Sequence, residues 1–244
     1  EFVLYSISQN YGGLENLSLI PGNVGTTPIQ NIGAYGTEIK DTMISCDAMD
    51  IETQEIVTFT KEKCEFAYRE SVFKNRLKNK YIIISVTFNL TKINHKINTA
   101  YGDITAELAK NNVTVPTIKD VSNAVTAIRQ SKLPDPKVLG TSGSFFKNPI
   151  ISKEDFDKAY AQHPQMPHYT VSDTEVKVPA GWLIEQSGFK GKRFGDAGVH
   201  ERQALVLVNY GNATGQELLD LSKKIQETVY NNFGIRIEAE VNVI

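Results

Sequence analysis

The sequence has 244 residues and a formal net charge of −2, from 26 Lys and Arg against 28 Asp and Glu. This balance gives no electrostatic reason to expect nucleic acid or an anionic membrane as the main partner. The length predicts roughly one or two domains, and we expect two, each with its own apolar core.

The apolar runs, histidines and cysteines of the sequence predict whether the protein spans a membrane, binds a metal or carries free thiols. No apolar run approaches the ~20 residues that a membrane-spanning helix needs. The four histidines are scattered singly, so we expect no metal site. Cys46 and Cys64 lie outside metal-ligand spacing, and we predict buried thiols in a reducing compartment.

In chain order, residues 1–10 resemble the tail of a helix or strand, and residues 12–36 follow with six glycines and two prolines in an apolar segment. The glycine-rich stretch is too irregular for a long helix and too apolar for a solvent-exposed loop. A backbone threaded past a large flat ligand fits this pattern. Free N–H groups in glycine-rich turns also form anion-binding concavities.

Residues 42–50 and 55–60 predict the strands of a hairpin, and the β-branched run 81–90 predicts a third strand. Between them, Arg69 stands among aromatic residues. One interpretation is a surface arginine lying on Tyr68. The other is a fixed cation at the edge of a cleft.

Helical periodicity and capping residues predict four helices and one buried strand farther along. The helices are expected at residues 117–131, 152–162, 180–187 and 214–233, and the strand at 204–209. The longest helix begins with a Thr214 and Glu217 capping box and ends before Gly234.

Two stretches carry candidate chemistry. Residues 140–149 place Ser144 on a glycine-loosened backbone beside aromatics, a lysine and an amide. They are either a loop that presents a proton source to an anionic substrate or a rigid turn between domains. Residues 235–243 alternate with period two, which predicts a strand whose Glu238 and Glu240 share one face and either line a cleft or meet water.

Seven segments, taken in order, resemble the UDP-N-acetylenolpyruvoylglucosamine reductase family, the MurB type, in its branch with a tyrosine-bearing loop. They are residues 13–25, 28–36, 68–71, 132–137, 143–149, 180–184 and 238–241. One such segment alone would be a weak signal, whereas an ordered series that spans essentially the whole sequence is specific.

The resemblance implies an α+β fold with an FAD-binding domain of the MurB and vanillyl-alcohol-oxidase kind. Residues 1–133 match its second subdomain, residues 134–234 match an α+β substrate-binding domain, and a strand at 235–244 is expected to return to the first domain. The family's Gly-Ser-Asn loop, which holds the FAD pyrophosphate, has no counterpart in the sequence. We therefore expect an N-terminal truncation.

The implied activity is the reduction of UDP-N-acetylglucosamine enolpyruvate to UDP-N-acetylmuramate in peptidoglycan precursor synthesis. In this family FAD accepts a hydride from NADPH and passes it to the enolpyruvyl methylene carbon, after which the adjacent carbon takes a proton. The resemblance further implies a monomer in the bacterial cytoplasm. The expected partners are the UDP-sugar and NADPH, with neither nucleic acid nor a membrane.

Residue roles follow from the matched segments. Ser144 matches the proton donor, and Arg69 and Glu240 match the pair that stabilises developing charge, with Glu238 as the alternative carboxyl. Tyr101 matches a mobile tyrosine that closes over the diphosphate. The other substrate-binding matches are Arg129, Lys132, Asn148, Tyr169, Lys177 and Gln203. The flavin-binding matches are Ile20, Thr26, Ile29 and Gly33.

Two other functions stay open at this point. One is a UDP-sugar-binding protein without catalysis, because the FAD pyrophosphate loop is missing; a colourless solution that binds the nucleotide sugar would support it. The other is a flavoenzyme of the same general fold with a different substrate. The set of Ser144, Arg69 and Glu240 argues against the latter.

Overall fold

The computed structural model describes residues 1–243 and divides after Ser131 into two compact units. Each unit mixes helices with antiparallel sheets, which makes the fold α+β. Among the helices within residues 1–243, none combines the length and apolarity that crossing a bilayer requires.

The first unit contains three α-helices and five strands. They are α1 (Phe2–Ser8), β1 (Gly33–Ala34), β2 (Thr37–Glu38), β3 (Met43–Asp50), β4 (Ile56–Thr60), β5 (Tyr81–Phe88), α2 (Gly102–Lys110) and α3 (Ile118–Lys132), the last of which reaches the boundary. The predicted hairpin and third strand are confirmed as β3, β4 and β5, and the N-terminal segment is helical.

The sheet of the first unit has the order β4-β3-β5, with both neighbours antiparallel to β3. Cys46 lies opposite Phe59 on one side and Val86 on the other, and it is buried in the core beneath the sheet. Cys64 is also buried, so both thiols lie in the interior as predicted.

A smaller core in the first unit joins α2 to α3. Ile104 and Leu108 of α2 are buried against Val121, Val125 and Ile128 of α3. The capping residues and periodicity predicted α3 correctly. They did not predict α2, which supplies only this short i, i+4 apolar pair.

The second unit contains ten further elements. They are β6 (Gly140–Ser144), β7 (Ile150–Ser152), α4 (Lys153–Gln162), β8 (Tyr169–Thr170), β9 (Glu175–Lys177), α5 (Ala180–Gln186), β10 (Arg193–Phe194), β11 (Ala197–Val199), β12 (Val206–Asn209) and α6 (Gly215–Phe233). One sheet has the order β10-β11-β12-β6 and the other β7-β9-β8.

The helix α6 follows the predicted pattern closely. Thr214 and Glu217 form a reciprocal capping box at its start, and Gly234 ends it with φ 68°. A side-chain cap of this kind stabilises a helix by about 1 kcal/mol. Leu221, Ile225 and Val229 lie on one face and are buried in the core of the second unit.

The predicted loop at residues 140–149 is wrong over its first half. Residues 140–144 form β6, which pairs with β12 and has a register irregularity between Val206 and Val208. A segment of Gly, Thr and Ser can form an edge strand when a neighbouring strand such as β12 pairs with its backbone. Gly143 accommodates the φ of 82° at the irregularity.

The predicted C-terminal strand is also wrong as a regular element. Ile235 and Ile237 are buried as the alternation predicted, but Ala239 is exposed and makes only one isolated bridge, to Phe146. Main-chain hydrogen bonds join Glu238 and Glu240 to residues 145–147, and this pairing does not continue along residues 235–243 as a ladder.

Candidate functional site

Ser144 is the last residue of β6 and is half-buried. It pairs with Val206, and the next backbone N–H, that of Phe145, donates to Leu205 O at 2.7 Å. At the preceding turn, Gly143 N donates to Thr141 Oγ1 at 3.0 Å. The hydroxyl therefore stands on an ordered strand end.

The C-terminal segment lies against this strand end in the second unit. Glu240 N donates to Phe145 O at 2.8 Å, and Lys147 N donates to Glu238 O at 3.0 Å. Across the same bridge, Lys147 Nζ lies 2.7 Å from Glu238 Oε2. The fold thus brings the backbone of Glu240 next to the residue that follows Ser144.

Four predicted substrate-binding residues lie around the corner between β9 and α5. Lys177 pairs with Tyr169, and its Nζ lies 5.8 Å from the centre of that ring. Asn148 Oδ1 accepts from Ala180 N at 2.9 Å, and Gln203 Oε1 accepts from Leu205 N at 3.3 Å.

Gly181 and the side-chain oxygens of Asn148 and Gln203 shape the corner between β9 and α5. A Cβ at Gly181 would lie 3.3 Å from Gln203 Oε1, so the glutamine side chain is packed on the first turn of α5. The oxygen atoms of Asn148 and Gln203 are both used to fix the corner. Their side-chain amide N–H groups, together with Lys177, are donors that this corner can direct at an anionic ligand.

In the first unit, Arg69 is held by the glycine-rich stretch. Its Nη2 donates to Gly33 O at 2.6 Å, and its guanidinium lies 5.1 Å from the centre of the Tyr68 ring. A Cβ at Gly33 would lie 3.0 Å from Arg69 Nη1 and would crowd the guanidinium. Arg69 therefore lies on Tyr68 and is also fixed by a backbone acceptor.

Arg129 and Tyr101 meet at a third residue, Tyr35. The Arg129 guanidinium interacts electrostatically with the Tyr35 phenol, and the ring of Tyr101 meets the Tyr35 ring edge-on at 5.3 Å. Burial lowers the pKa of Arg129, and Tyr35 opposes that shift. Burial also raises the pKa of Tyr35, with Arg129 opposing. The sequence offered no signal for Tyr35 beyond its presence in a matched segment.

An apolar cavity of about 80 Å³ opens in the first unit beside the glycine-rich stretch. Its lining includes Phe2, Leu14, Leu17, Ile20, Val24, Ile32 and Phe88. Of the predicted flavin residues, Ile20 lines the cavity. Ile29 packs on the core, and the Thr26 hydroxyl donates to Asn23 O at 2.7 Å.

Lys132 and His200 lie elsewhere in the chain. Lys132 is the last residue of α3 and the first of the second unit. His200 is buried, and its Nδ1 accepts from Arg202 N at 3.3 Å. Among the described residues 1–243, no three His, Cys, Asp or Glu side chains are grouped to hold a metal ion.

The predicted site residues thus fall into separate groups. The first unit holds Arg69 with Gly33, and Tyr101 with Arg129. The second unit holds the Ser144 and Glu240 backbones and the β9–α5 corner. Because Arg69 and Ser144 belong to different units, their convergence on one substrate stays a prediction.

Comparisons with known proteins give the family. The model of the UDP-N-acetylenolpyruvoylglucosamine reductase C-terminal domain matches residues 135–244. The reductase of that name from Flavobacterium johnsoniae is 72% identical over 244 residues, which span 100% of this chain and 72% of the relative. The reductase from Chromobacterium violaceum is 50% identical over 241 residues, 98% of this chain and 70% of that one.

A solved structure agrees at the level of the fold. The crystal structure of the reductase (MurB) from Thermus caldophilus superimposes with a TM-score of 0.65 at 22% identity, covering 99% of this chain and 67% of that one. With identities this high over most of the relatives' length, the chain belongs to the UDP-N-acetylenolpyruvoylglucosamine reductase family.

Proposed function

We propose that this protein reduces UDP-N-acetylglucosamine enolpyruvate to UDP-N-acetylmuramate, with NADPH as reductant and FAD as cofactor, in bacterial peptidoglycan precursor synthesis. Family membership supports the reaction. The observation that carries the assignment to residues is the hydrogen bonding of the Glu240 segment to the strand end that bears Ser144. In this proposal, residues 1–133 belong to the FAD-binding domain and residues 134–234 bind the substrate.

The first unit fits part of FAD. The described side chains that line its cavity are apolar or uncharged, which suits the flat apolar edge of a flavin ring. They include no Lys or Arg, so they do not suit the pyrophosphate. At about 80 Å³ the cavity is smaller than the roughly 300 Å³ of a small-ligand pocket, so Ile20 and its neighbours would contact one edge of the ring. When bound, the flavin would supply hydride transfer from NADPH to the enolpyruvyl group.

Ser144 is proposed to deliver the proton that completes the reduction. A serine hydroxyl is a weak acid, so it needs an ordered position and nearby positive charge to act in this way. The strand pairing of β6 supplies the order. Lys147, three residues on and half-buried, is the basic side chain of the same segment, and its charge is paired with Glu238.

Arg69 and Glu240 are proposed to stabilise the negative charge that develops on the enolpyruvyl group. A guanidinium fixed by a backbone carbonyl and an aromatic ring is preorganised, and preorganised groups contribute most where charge develops. Glu240 acts here through a protonated or hydrogen-bonded carboxyl, because a bare carboxylate would repel an enolate.

Ser144→Ala in the natural full-length protein tests this function. NADPH should still bleach the flavin, whereas reoxidation by the UDP-sugar should slow by about 10²- to 10⁴-fold, the usual contribution of a positioned proton donor. Stopped-flow absorbance separates the two half-reactions. Ser142→Ala, an exposed hydroxyl in the same strand, is the matched control and should reoxidise normally. Normal reoxidation in Ser144→Ala would contradict the proton-donor role.

A second function has a specific observation in its favour. Because the described lining of the cavity offers no cation for a pyrophosphate, this chain taken alone fits a UDP-sugar-binding protein without turnover. Flavin absorbance of the purified chain decides between the two. A yellow protein supports the reductase, and a colourless protein that binds UDP-N-acetylglucosamine supports the binding function.

A further inference from the structure

Arg69 stands in a tight turn, at a position that arginine rarely takes. Ala67 N donates to Glu70 O at 3.1 Å and Glu70 N donates to Ala67 O at 3.2 Å. These bonds leave Tyr68 and Arg69 as the two central residues, and Arg69 has φ 58°. Glycine or asparagine is usual where a turn needs a positive φ, because other side chains are strained there. Such strain persists only where the surrounding structure imposes it, so the turn needs support from outside.

Two buried side chains bind the turn to the glycine-rich stretch. Asn31 Nδ2 donates to Ala67 O at 3.0 Å, two residues before Arg69. Ser71 Oγ, two residues after Arg69, donates to Ile29 O at 2.6 Å. Asn31 and Ser71 are each 0% exposed, so neither bond competes with water. The turn is therefore held on both sides of Arg69.

Asn31 also fixes the hairpin whose carbonyl binds the Arg69 side chain. Arg69 Nη2 donates to Gly33 O at 2.6 Å, and Gly33 pairs with Glu38 across the β1–β2 hairpin. Asn31 Nδ2 donates to Glu38 Oε2 at 3.1 Å, and Asn31 Oδ1 accepts from Lys40 N at 3.1 Å. One buried amide thus contacts both the hairpin that carries the acceptor and the turn that carries the guanidinium.

We propose that Asn31 and Ser71 are positioning residues that hold the Arg69 guanidinium where it meets the negative charge developing on the enolpyruvyl group. This inference rests on the proposed function, in which Arg69 stabilises that charge. A displacement of about 1 Å can cost a catalytic group much of its effect, because stabilisation depends on a preorganised position. The inference requires that Asn31 and Ser71 act through Arg69 and leave flavin reduction by NADPH unchanged.

The test uses the natural full-length, flavin-bound protein with Ser71→Ala and, separately, Asn31→Gly. The alanine removes one hydroxyl, and the glycine removes the amide while accepting the φ of 46° at this position. Each variant should slow reoxidation of the flavin by saturating UDP-sugar about 10-fold in stopped-flow absorbance. The rate of flavin reduction by NADPH should stay within about twofold. Either variant is sufficient, so if one fails to fold, the other decides.

Two comparisons separate the positioning of Arg69 from general destabilisation. Ser122→Ala removes another buried hydroxyl of the same unit, one that lies 2.7 Å from Ser18 Oγ, and should leave reoxidation within about twofold. Arg69→Met should itself slow reoxidation by about 10²-fold. In that background, adding Ser71→Ala or Asn31→Gly should bring no further slowing, because both residues act through the arginine. A loss of packing alone would slow the two backgrounds equally.

The rates with and without Arg69 distinguish the possible outcomes. Slowing that disappears in the Arg69→Met background would support the inference. Normal reoxidation in a folded Ser71→Ala or Asn31→Gly protein, or equal slowing by these changes in Arg69→Met, would overturn it while the reductase function stands. A wild-type protein whose reduced flavin is not reoxidised by the UDP-sugar would remove the reductase function, and this inference would fall with it.

Discussion

Glu238 and Glu240 both lie on the C-terminal segment, yet they make different contacts. Glu238 places its Oε2 2.7 Å from Lys147 Nζ, and its side chain is 68% exposed. Glu240 is half-buried, and its backbone N–H is bonded to Phe145 O, beside the strand end that carries Ser144. The contacts therefore favour Glu240 as the carboxyl that acts on substrate and Glu238 as the partner of a lysine.

A matched pair of substitutions tests this division at the residue scale. Glu240→Ala should slow flavin reoxidation by the UDP-sugar by about 10²-fold, the usual cost of losing one group that stabilises developing charge. Glu238→Ala should slow it by less than about fivefold, because an exposed ion pair contributes little. Stopped-flow reoxidation measures both. A larger effect for Glu238→Ala would reverse the assignment.

At the scale of elements, the C-terminal segment is attached to residues 145–147 by two backbone hydrogen bonds and the Lys147–Glu238 ion pair. Such an attachment sets where Glu240 lies relative to β6. The ion pair is partly exposed, so its contribution to the free energy of unfolding should be under about 1 kcal/mol. Its effect on the position of the segment can still be seen in kinetics.

A charge exchange tests the attachment. Lys147→Glu places two carboxylates face to face and should loosen the segment, slowing reoxidation by about fivefold and speeding hydrogen exchange at the Glu240 N–H. Adding Glu238→Lys restores opposite charges and should recover both measurements. If the double variant stayed as slow as Lys147→Glu, Lys147 would matter through some contact other than Glu238.

The elements also show what the sequence could and could not predict. Local signals sufficed for α6, whose Thr214 cap and Gly234 terminus are both present, and for the β-branched strand β5. The strand β6 was missed because its Gly, Thr and Ser residues have weak preferences and its partner β12 lies far along the chain. The C-terminal alternation is present in the sequence, but the segment pairs with residues 145–147 only at one isolated bridge and forms no continuous ladder.

The same limit applies to the candidate site. Motif order predicted the family and named Ser144, Arg129 and Tyr101 individually. It did not reveal that the Tyr35 ring meets the Tyr101 ring, because that contact depends on how Tyr35 packs on the core between α2 and α3. Pairings between distant residues are set by tertiary packing, which local periodicity does not encode.

For the whole molecule, pH sensitivity can enter through a buried histidine away from the proposed chemistry. His200 is only 4% exposed, and burial, followed by the nearby charge of Arg202, lowers its pKa, while Glu201 opposes the shift. Its Nδ1 accepts a hydrogen bond from Arg202 N, which only the unprotonated nitrogen can do. Protonation would break this bond and place a charge in the interior.

The direction in which the free energy of unfolding changes with pH follows from how many protons His200 binds in the native and unfolded states. A base whose pKa is lowered by folding binds fewer protons in the native state than in the unfolded chain, where histidine titrates near 6.5. The free energy of unfolding should therefore be highest above about pH 6.5 and fall as the pH drops below it. Urea unfolding of the second unit, followed between about pH 7.5 and 5.5, should show this loss.

Replacing His200 by Asn tests the assignment, because an asparagine Oδ1 can accept the Arg202 N–H in place of Nδ1 and does not titrate. His200→Asn should flatten the acid-side fall in the urea midpoint while keeping most of the stability at about pH 7.5. His168→Asn, at an exposed histidine of the same unit, should leave the fall in place. If His200→Asn retained the full acid-side loss, other groups would have to take up the proton, and His200 would serve only as packing.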